Sequence, residues 1–236
     1  DDAEAVGEFA IASGANAYAE GDTASAYGAG SAAIGNGATA TGNQSAATAD
    51  NATANGNGAN ASNTGATAIG GQRALVDDEG NPILDEDGNP MYASTEASGV
   101  DATAVGAGSS ATGEFGATAI GAGASASNSY ATASGAESSA SGLQSTANGF
   151  RSNASGDGSS AIGGYTVASG FGAQALGYGA EASADNTTAV GFGAAASGEE
   201  ATAVGGSTFF GLINTRATGT GGSAFGLASA DGVVRW

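Results

Sequence analysis

The side chains best suited to chemistry in this sequence are carboxylates, and they are densest between residues 77 and 87. Carboxylate oxygens suit Ca²⁺, but an EF-hand loop needs them at alternate positions with a closing glutamate. That spacing is absent, so we expect solvated turn residues and no metal site. Because the segment is acidic and is expected to project from the rest of the fold, some of these residues are candidates for contact with a ligand: Asp78, Glu79, Asp85, Glu86 and Asp87.

Other catalytic groups are scarce. The sequence contains no histidine and no cysteine, and all of its basic residues are arginine. General acid–base catalysis would therefore depend on carboxylates or tyrosine. The pair Glu199–Glu200 has the residue types of a glycosidase site, but it falls in an expected turn, where charge usually serves solvation. We expect a binding or structural module without a cofactor, and not an enzyme.

The charge balance restricts the partners. Twenty-three acidic residues face four basic ones, which gives a formal net charge of −19. Such a surface repels nucleic acid and anionic lipid, because both carry negative phosphates. No stretch approaches 18 apolar residues, so the sequence predicts no transmembrane helix. We expect no nucleic-acid partner.

A seven-residue repeat determines the fold class. The segments 117–121, 131–135, 159–163 and 201–205 share the pattern small-x-Ala-x-Gly, followed by two connecting residues. A coiled coil also repeats every seven residues, but it needs large apolar residues at two positions. A helical glycine costs about 1 kcal/mol relative to alanine. The small residues two and four positions before the glycine indicate instead a short strand that ends in a tight turn.

A second period of fourteen residues is superimposed on the first. From Ile120 onward, the residue before the glycine is often aliphatic in alternate units and is serine in the units between. One coil is therefore two strands. Fourteen residues at about 3.3 Å each enclose a perimeter of roughly 46 Å, so a flattened coil has room only for small residues inside. The sequence predicts an all-β, parallel β-roll with alanines inside, two short strands per coil and about fourteen coils.

If the alanines point inward, the aliphatic residues beside them must point outward. They would form an apolar stripe, spaced by about 4.8 Å per coil. Symmetric association of copies of the chain would bury this stripe. The alternative is that these residues fill the core of a single chain. We predict that they lie in an interface between copies: Val105, Ile120, Ile162, Leu176, Val190 and Val204.

The repeats resemble the head repeats of trimeric autotransporter adhesins, the YadA-like family of Gram-negative bacteria. The matching runs are ATAIGAGASASNSYATASG (117–135) and TTAVGFGAAASGEEATAVGG (187–206). The resemblance implies a left-handed roll, a homotrimer, and display on the bacterial cell surface at the outer membrane. It also implies adhesion to host extracellular matrix or cells, self-association between bacteria, and a membrane link only through a C-terminal anchor outside this sequence.

The array has two interruptions. Residues 1–70 and 97–205 carry head repeats, whereas 71–96 contain the motif acidic-Gly-Asn-Pro twice, which favours a hairpin-like insertion. Residues 206–236 are predicted to form a C-terminal cap or a transition from head to neck. That prediction depends on a cluster of large apolar residues and a terminal tryptophan: Phe209, Phe210, Leu212, Ile213 and Trp236.

An ice-binding solenoid, or another single-chain structural solenoid, is the alternative function. Ice-binding solenoids present threonine ladders, and Thr39, Thr53 and Thr67 recur every fourteen residues, as do Thr118 and Thr132. The ladder looks interrupted in the sequence, which favours adhesion. Aromatic residues that directly follow a repeat glycine are expected to pack across turns: Phe150, Phe171, Tyr178 and Phe192.

Overall fold

The computed structural model describes residues 2–206, 214–226 and 229–230. Within these residues every regular element is a short β-strand, and there is no helix. The chain divides into two compact units, Asp1–Ser125 and Ala126–Trp236. In each unit the strands of successive coils pair in parallel to form two sheets, which confirms the predicted parallel β-solenoid of about fourteen coils.

In the first unit, a sheet of mostly two-residue strands forms one face, which we call face A. Its strands are β1 (Glu4–Ala5), β3 (Tyr18–Ala19), β5 (Ala32–Ala33), β7 (Ala46–Ala47), β9 (Asn60–Ala61), β13 (Glu96–Ala97) and β15 (Ser110–Ala111). Three-residue strands form the opposite face, face B. These are β2 (Ile11–Ser13), β4 (Ser25–Tyr27), β6 (Thr39–Thr41), β8 (Thr53–Asn55), β10 (Thr67–Ile69), β14 (Thr103–Val105) and β16 (Thr118–Ile120).

The second unit repeats this plan, and β17 (Ser125–Ala126) falls at the division. Its face A contains β19 (Ser139–Ala140), β21 (Asn153–Ala154), β23 (Val167–Ala168), β25 (Glu181–Ala182), β27 (Ala195–Ala196), β29 (Arg216–Ala217) and β31 (Ser229–Ala230). Its face B contains β18 (Thr132–Ser134), β20 (Thr146–Asn148), β22 (Ser160–Ile162), β24 (Gln174–Leu176), β26 (Thr188–Val190), β28 (Thr202–Val204) and β30 (Ser223–Phe225).

The interior of the roll is made of alanine. The alanine two positions before each repeat glycine is almost always fully buried, as in Ala119 and Ala140. Equivalent alanines pair in register, for example Ala161 with Ala175. The predicted inward direction of the alanines is confirmed, and it explains why the chain needs no large core residues.

Buried hydroxyl groups supplement the alanines at the position four before the glycine. Ser31 Oγ donates to the carbonyl oxygen of Gly28 at 2.8 Å, and Thr166 Oγ1 donates in the same way to Gly163 at 2.8 Å. Each hydroxyl thereby pairs with a carbonyl of the turn that precedes its strand. A small polar side chain can therefore replace alanine inside the roll with its donor satisfied, although the buried Ser159 Oγ at the same position has no hydrogen-bond partner.

The turns stack directly on one another from coil to coil. A Cβ atom added to Gly177 would lie 2.6 Å from the carbonyl oxygen of Gly191, one coil further on. Only glycine permits that approach at this φ of +123°. Two residues after the repeat glycine the backbone is again left-handed, even where the residue is Tyr165, with φ of 56°.

The insertion and one register shift are accommodated without loss of the solenoid. Thr67 of β10 pairs with Thr103 of β14, so the parallel ladder continues past residues 71–96. Thr103 then pairs with Thr118, and a bridge joins Val100 to Phe115, which accommodates one additional residue. The additional residue falls between the repeat glycines Gly113 and Gly121, which are eight residues apart in the sequence instead of seven.

The coil pattern continues beyond residue 206. Strands β29 and β30 pair with β27 and β28, and β31 pairs with β29. The residues that suggested a terminal cap, Phe209, Phe210, Leu212, Ile213 and Trp236, lie outside the described residues.

Candidate functional site

Three outward aliphatic residues of the first unit lie on consecutive strands of face B, while Val6 and Ile34 follow face A strands. Ile69 pairs with Val105, and Val105 pairs with Ile120, so the three side chains form consecutive rungs. Ile69 is 42% exposed and Ile120 is 45% exposed, whereas Val105 is half-buried. Their outward direction agrees with the sequence analysis, and they leave a water-exposed apolar stripe on this unit.

The second unit carries its own aliphatic stripe on face B. Ile162, Leu176, Val190 and Val204 pair successively along four neighbouring strands. Ile162 and Leu176 are 42% and 39% exposed, while the two valines are half-buried. All six predicted interface residues are thus on face B. Their role between copies stays a prediction.

A threonine ladder accompanies the aliphatic stripe of the first unit. It runs through consecutive face B strands without interruption: Thr39, Thr53, Thr67, Thr103 and Thr118. The expectation of an interrupted ladder is wrong for this unit. The residues that interrupt the threonine series in the sequence, such as Ser125, lie on face A. The insertion separates Thr67 from Thr103 in the sequence, although their strands are neighbours.

Four exposed aromatic side chains form a ladder in the second unit. The ring centroids of Phe150 and Tyr165 are 5.3 Å apart, those of Tyr165 and Tyr178 5.4 Å, and those of Tyr178 and Phe192 5.6 Å. The predicted packing across turns is confirmed for Phe150, Tyr178 and Phe192. Phe171 follows a face A strand and so lies at the opposite turn.

Tyr165 was not predicted from the sequence to join this ladder, because it stands two residues after its repeat glycine instead of one.

A charged pair lies at the Phe150 end of the ladder. Arg151 Nε donates to Glu137 Oε2 at 2.6 Å, and the Arg151 guanidinium is 5.2 Å from the centre of the Phe150 ring. The hydrogen bond and charge of Glu137 raise the pKa of Arg151.

The insertion contains one short antiparallel pair and two equivalent turns. Strand β11 (Arg73–Ala74) pairs with β12 (Tyr92–Ala93). Backbone N–H groups of Glu79 and Asn81 donate to Asp77 Oδ1 at 3.0 and 2.8 Å. The next turn repeats this arrangement eight residues later, with Asp85 as acceptor.

In that second turn, Asp87 and Asn89 donate to Asp85 Oδ1 at 3.0 and 2.8 Å. The backbone N–H of Asn89 is the main cause that holds the pKa of Asp85 below its usual value, and the N–H of Asn81 does the same for Asp77. Asp85 therefore shapes its turn. The other predicted ligand-contact residues are exposed on the two turns: Asp78, Glu79, Glu86 and Asp87.

No group of side chains suited to hold a metal ion occurs in the part of the chain that the structure describes. Over the same residues, no helical segment is capable of crossing a bilayer.

The fold and its surfaces define a parallel β-solenoid with apolar outer stripes, and the comparisons place it in a family. The YadA head domain repeat model matches residues 5–31, 26–48, 47–72, 97–116, 115–138, 140–166 and 168–194. This is more than half of the chain, so the chain belongs to the YadA head family, the heads of trimeric autotransporter adhesins. No curated protein matches it.

Proposed function

We propose that this chain is one subunit of a homotrimeric head that attaches bacteria to host extracellular matrix or cell-surface molecules, and to one another. The observation that carries the proposal is the exposed aliphatic stripe on face B of each unit, in a chain of an adhesin family. Contiguous exposed apolar surface marks an interaction site. Three left-handed rolls that join through face B would cover these stripes.

In this head the roll acts as a rigid scaffold and the insertion acts as the element that contacts a ligand. Recognition residues tend to lie on loops that a rigid scaffold holds in place. Four side chains of the insertion present carboxylates to a partner: Asp78, Glu79, Glu86 and Asp87. Asp85 shapes the turn that carries Glu86 and Asp87. Three copies of a weak site gain avidity when they engage one surface. The head would be displayed at the outer membrane through a C-terminal anchor encoded outside this sequence.

Solution mass tests the trimer. Sedimentation of the purified chain should give a species near three times its 21.8 kDa mass. Replacing Leu176 with serine should weaken this species, because the side chain lies in the middle of the second unit's stripe. The control is Ser169→Thr. Ser169 occupies the equivalent position, directly before a repeat glycine, after the preceding face A strand. A stable monomer of the unmodified chain would refute the three-chain head.

Adhesion is tested separately, with beads that carry the chain. They should bind to a panel of extracellular-matrix proteins or to cultured cells, and a variant with Asp78→Asn, Glu79→Gln, Glu86→Gln and Asp87→Asn should bind less. If that variant bound every ligand as strongly as the unmodified chain, the insertion would not be the contact element.

The threonine ladder favours ice binding as a second candidate. Five consecutive rungs from Thr39 to Thr118 form a regular array of hydroxyl and methyl groups on face B. Ice binding requires face B to be open to water. Because the proposed trimer would cover face B, an ice-binding chain should be a monomer. Shaping of ice crystals by the monomeric chain, abolished by Thr53→Val and Thr67→Val, would support it over adhesion.

A further inference from the structure

The insertion exposes an unusual amount of apolar surface. Every residue from Val76 to Tyr92 is exposed. Five of these side chains are large and apolar, with 41–54% of their surface open to water: Val76, Ile83, Leu84, Met91 and Tyr92. Single exposed apolar residues are normal on proteins, but a concentration of them indicates an interaction site.

Backbone hydrogen bonds bring these apolar residues together. The N–H of Leu75 donates to Met91 O at 2.9 Å, that of Met91 to Ile83 O at 2.8 Å, and that of Ile83 to Leu75 O at 2.9 Å. The three bonds form a closed ring. Each ring residue is followed by another apolar one, so three apolar dipeptides converge. We call them the apolar cluster: Leu75–Val76, Ile83–Leu84 and Met91–Tyr92.

Regular strand pairing within the insertion is short. Strands β11 and β12 have two residues each, and an isolated two-stranded hairpin is at best marginally stable in water. A partner that covered the apolar cluster would remove this surface from water, at about 25 cal/mol per Å² of apolar area. The cluster therefore has a physical reason to be covered.

The base of the insertion lies beside the aliphatic stripe of its own unit. Thr95 Oγ1 donates to the carbonyl oxygens of Gly71 at 3.0 Å and Gly106 at 2.8 Å, which fixes the base over the adjacent turn. Gly106 directly follows Val105 of the stripe, and Gly71 follows Ile69 by two residues. The insertion that carries the apolar cluster thus begins and ends beside the turn that follows the stripe.

We propose that the apolar cluster docks on a neighbouring copy of this chain and straps the head together. This inference rests on the proposed three-chain head, because a copy that covers Ile69 and Val105 also lies next to the base of the insertion. The net charge of the chain favours docking through apolar surface. Each copy carries a net charge of −19, so the acidic turns cannot attach to an identical acidic surface. With the cluster covered, the exposed carboxylates remain available for a ligand.

Thermal dissociation of the trimer provides the first test. Replacing Ile83, Leu84 and Met91 with serine should lower its melting temperature by at least about 5 °C, since a change of this size follows from losing a few buried apolar contacts. The matched control replaces Asp78, Glu79 and Asp87 with serine in the same segment and should not lower it. Equal melting temperatures for the unmodified chain and the apolar variant would overturn the strap.

Cross-linking provides the second test and separates the two proposals. The chain has no cysteine, so Leu84→Cys places one thiol in the cluster for a photoreactive benzophenone label. Trimers assembled from a mixture of ¹⁵N-labelled and unlabelled chains should give mixed-isotope cross-links. Cross-links within one chain only, in a sample of trimeric mass, would refute the strap and leave the three-chain head standing. A monomeric unmodified chain would refute both.

Discussion

At the residue scale, stability depends on side-chain size inside the roll and on backbone space at its turns. Ala140 is fully buried and its neighbour Ser139 points outward from the same strand. The two positions differ in little else, since they share a strand, a sheet and a pairing partner strand. The pair therefore isolates the effect of interior volume from the effect of strand propensity.

We expect Ala140→Leu to destabilise the chain strongly and Ser139→Leu to change its stability little. Three additional carbon atoms have no space between the two faces, and overpacking of a well-packed core costs about 1–3 kcal/mol, occasionally more. Urea unfolding followed by far-ultraviolet circular dichroism measures both variants. Similar losses for the two would show that the interior is wider than the alanine layer indicates.

A second pair of positions tests how strongly the stacked turns depend on glycine. Gly177 and Gly179 both have positive φ, but an added Cβ at Gly177 would lie 2.6 Å from the Gly191 carbonyl oxygen, whereas at Gly179 nothing lies within 4 Å. Alanine at Gly179, where φ is +64°, costs about 1–2 kcal/mol for the left-handed conformation. At Gly177, where φ is +123°, the backbone conformation is still less suited to alanine, and the close approach adds to this cost. We expect Gly177→Ala to lower the melting temperature clearly more than Gly179→Ala. Equal shifts would mean that coil stacking adjusts freely.

At the element scale, the two turns of the insertion should respond to acid. Backbone hydrogen bonds from Asn81 and Asn89 lower the pKa values of Asp77 and Asp85. A lowered pKa in the folded state means that the stabilisation is fully present above the usual aspartate pKa of about 3.9 and is lost as the pH falls through the lowered value. The turns should therefore persist at neutral pH and loosen only in acid.

Amide NMR signals of Asn81 and Asn89 report this loosening directly. Both should shift in acid at a pH below the usual aspartate range. In the Asp85→Asn variant the Asn89 signal should lose this response, while Asn81, whose acceptor is Asp77, keeps it. A midpoint at or above the usual aspartate value for both amides would contradict the hydrogen-bonded turns.

The elements also show what the sequence could and could not reveal. The coils follow from local spacing, because each seven-residue repeat has an alanine, such as Ala119, and most repeats have a glycine two residues later, such as Gly121. The structure of the insertion does not follow from local spacing. Backbone hydrogen bonds join Leu75, Ile83 and Met91 in a ring, and backbone groups leave no pattern in the sequence. The threonine ladder was likewise hidden. Thr67 and Thr103 pair across the insertion, so their proximity exists only in three dimensions.

At the scale of the whole molecule, charge opposes the association that apolar surface favours. Each chain carries 23 acidic and four basic residues, so its arginines cannot neutralise its carboxylates. Bringing three such chains together concentrates negative charge, which destabilises the compact assembly. Salt shortens the range of this repulsion, to about 8 Å at 0.15 M ionic strength.

The proposed trimer should therefore dissociate less readily as sodium chloride rises from about 0.02 M to 0.3 M, in which range screening changes most. Sedimentation over a dilution series measures this. A variant with Glu181→Gln, Glu199→Gln and Glu200→Gln should depend less on salt, because it carries three fewer charges. Glutamine suits the positive φ of position 200, as Gln44 and Gln144 adopt the same conformation at equivalent turns. Dissociation that increases with salt would mean that ion pairs between copies, and not the aliphatic stripes, hold the head together.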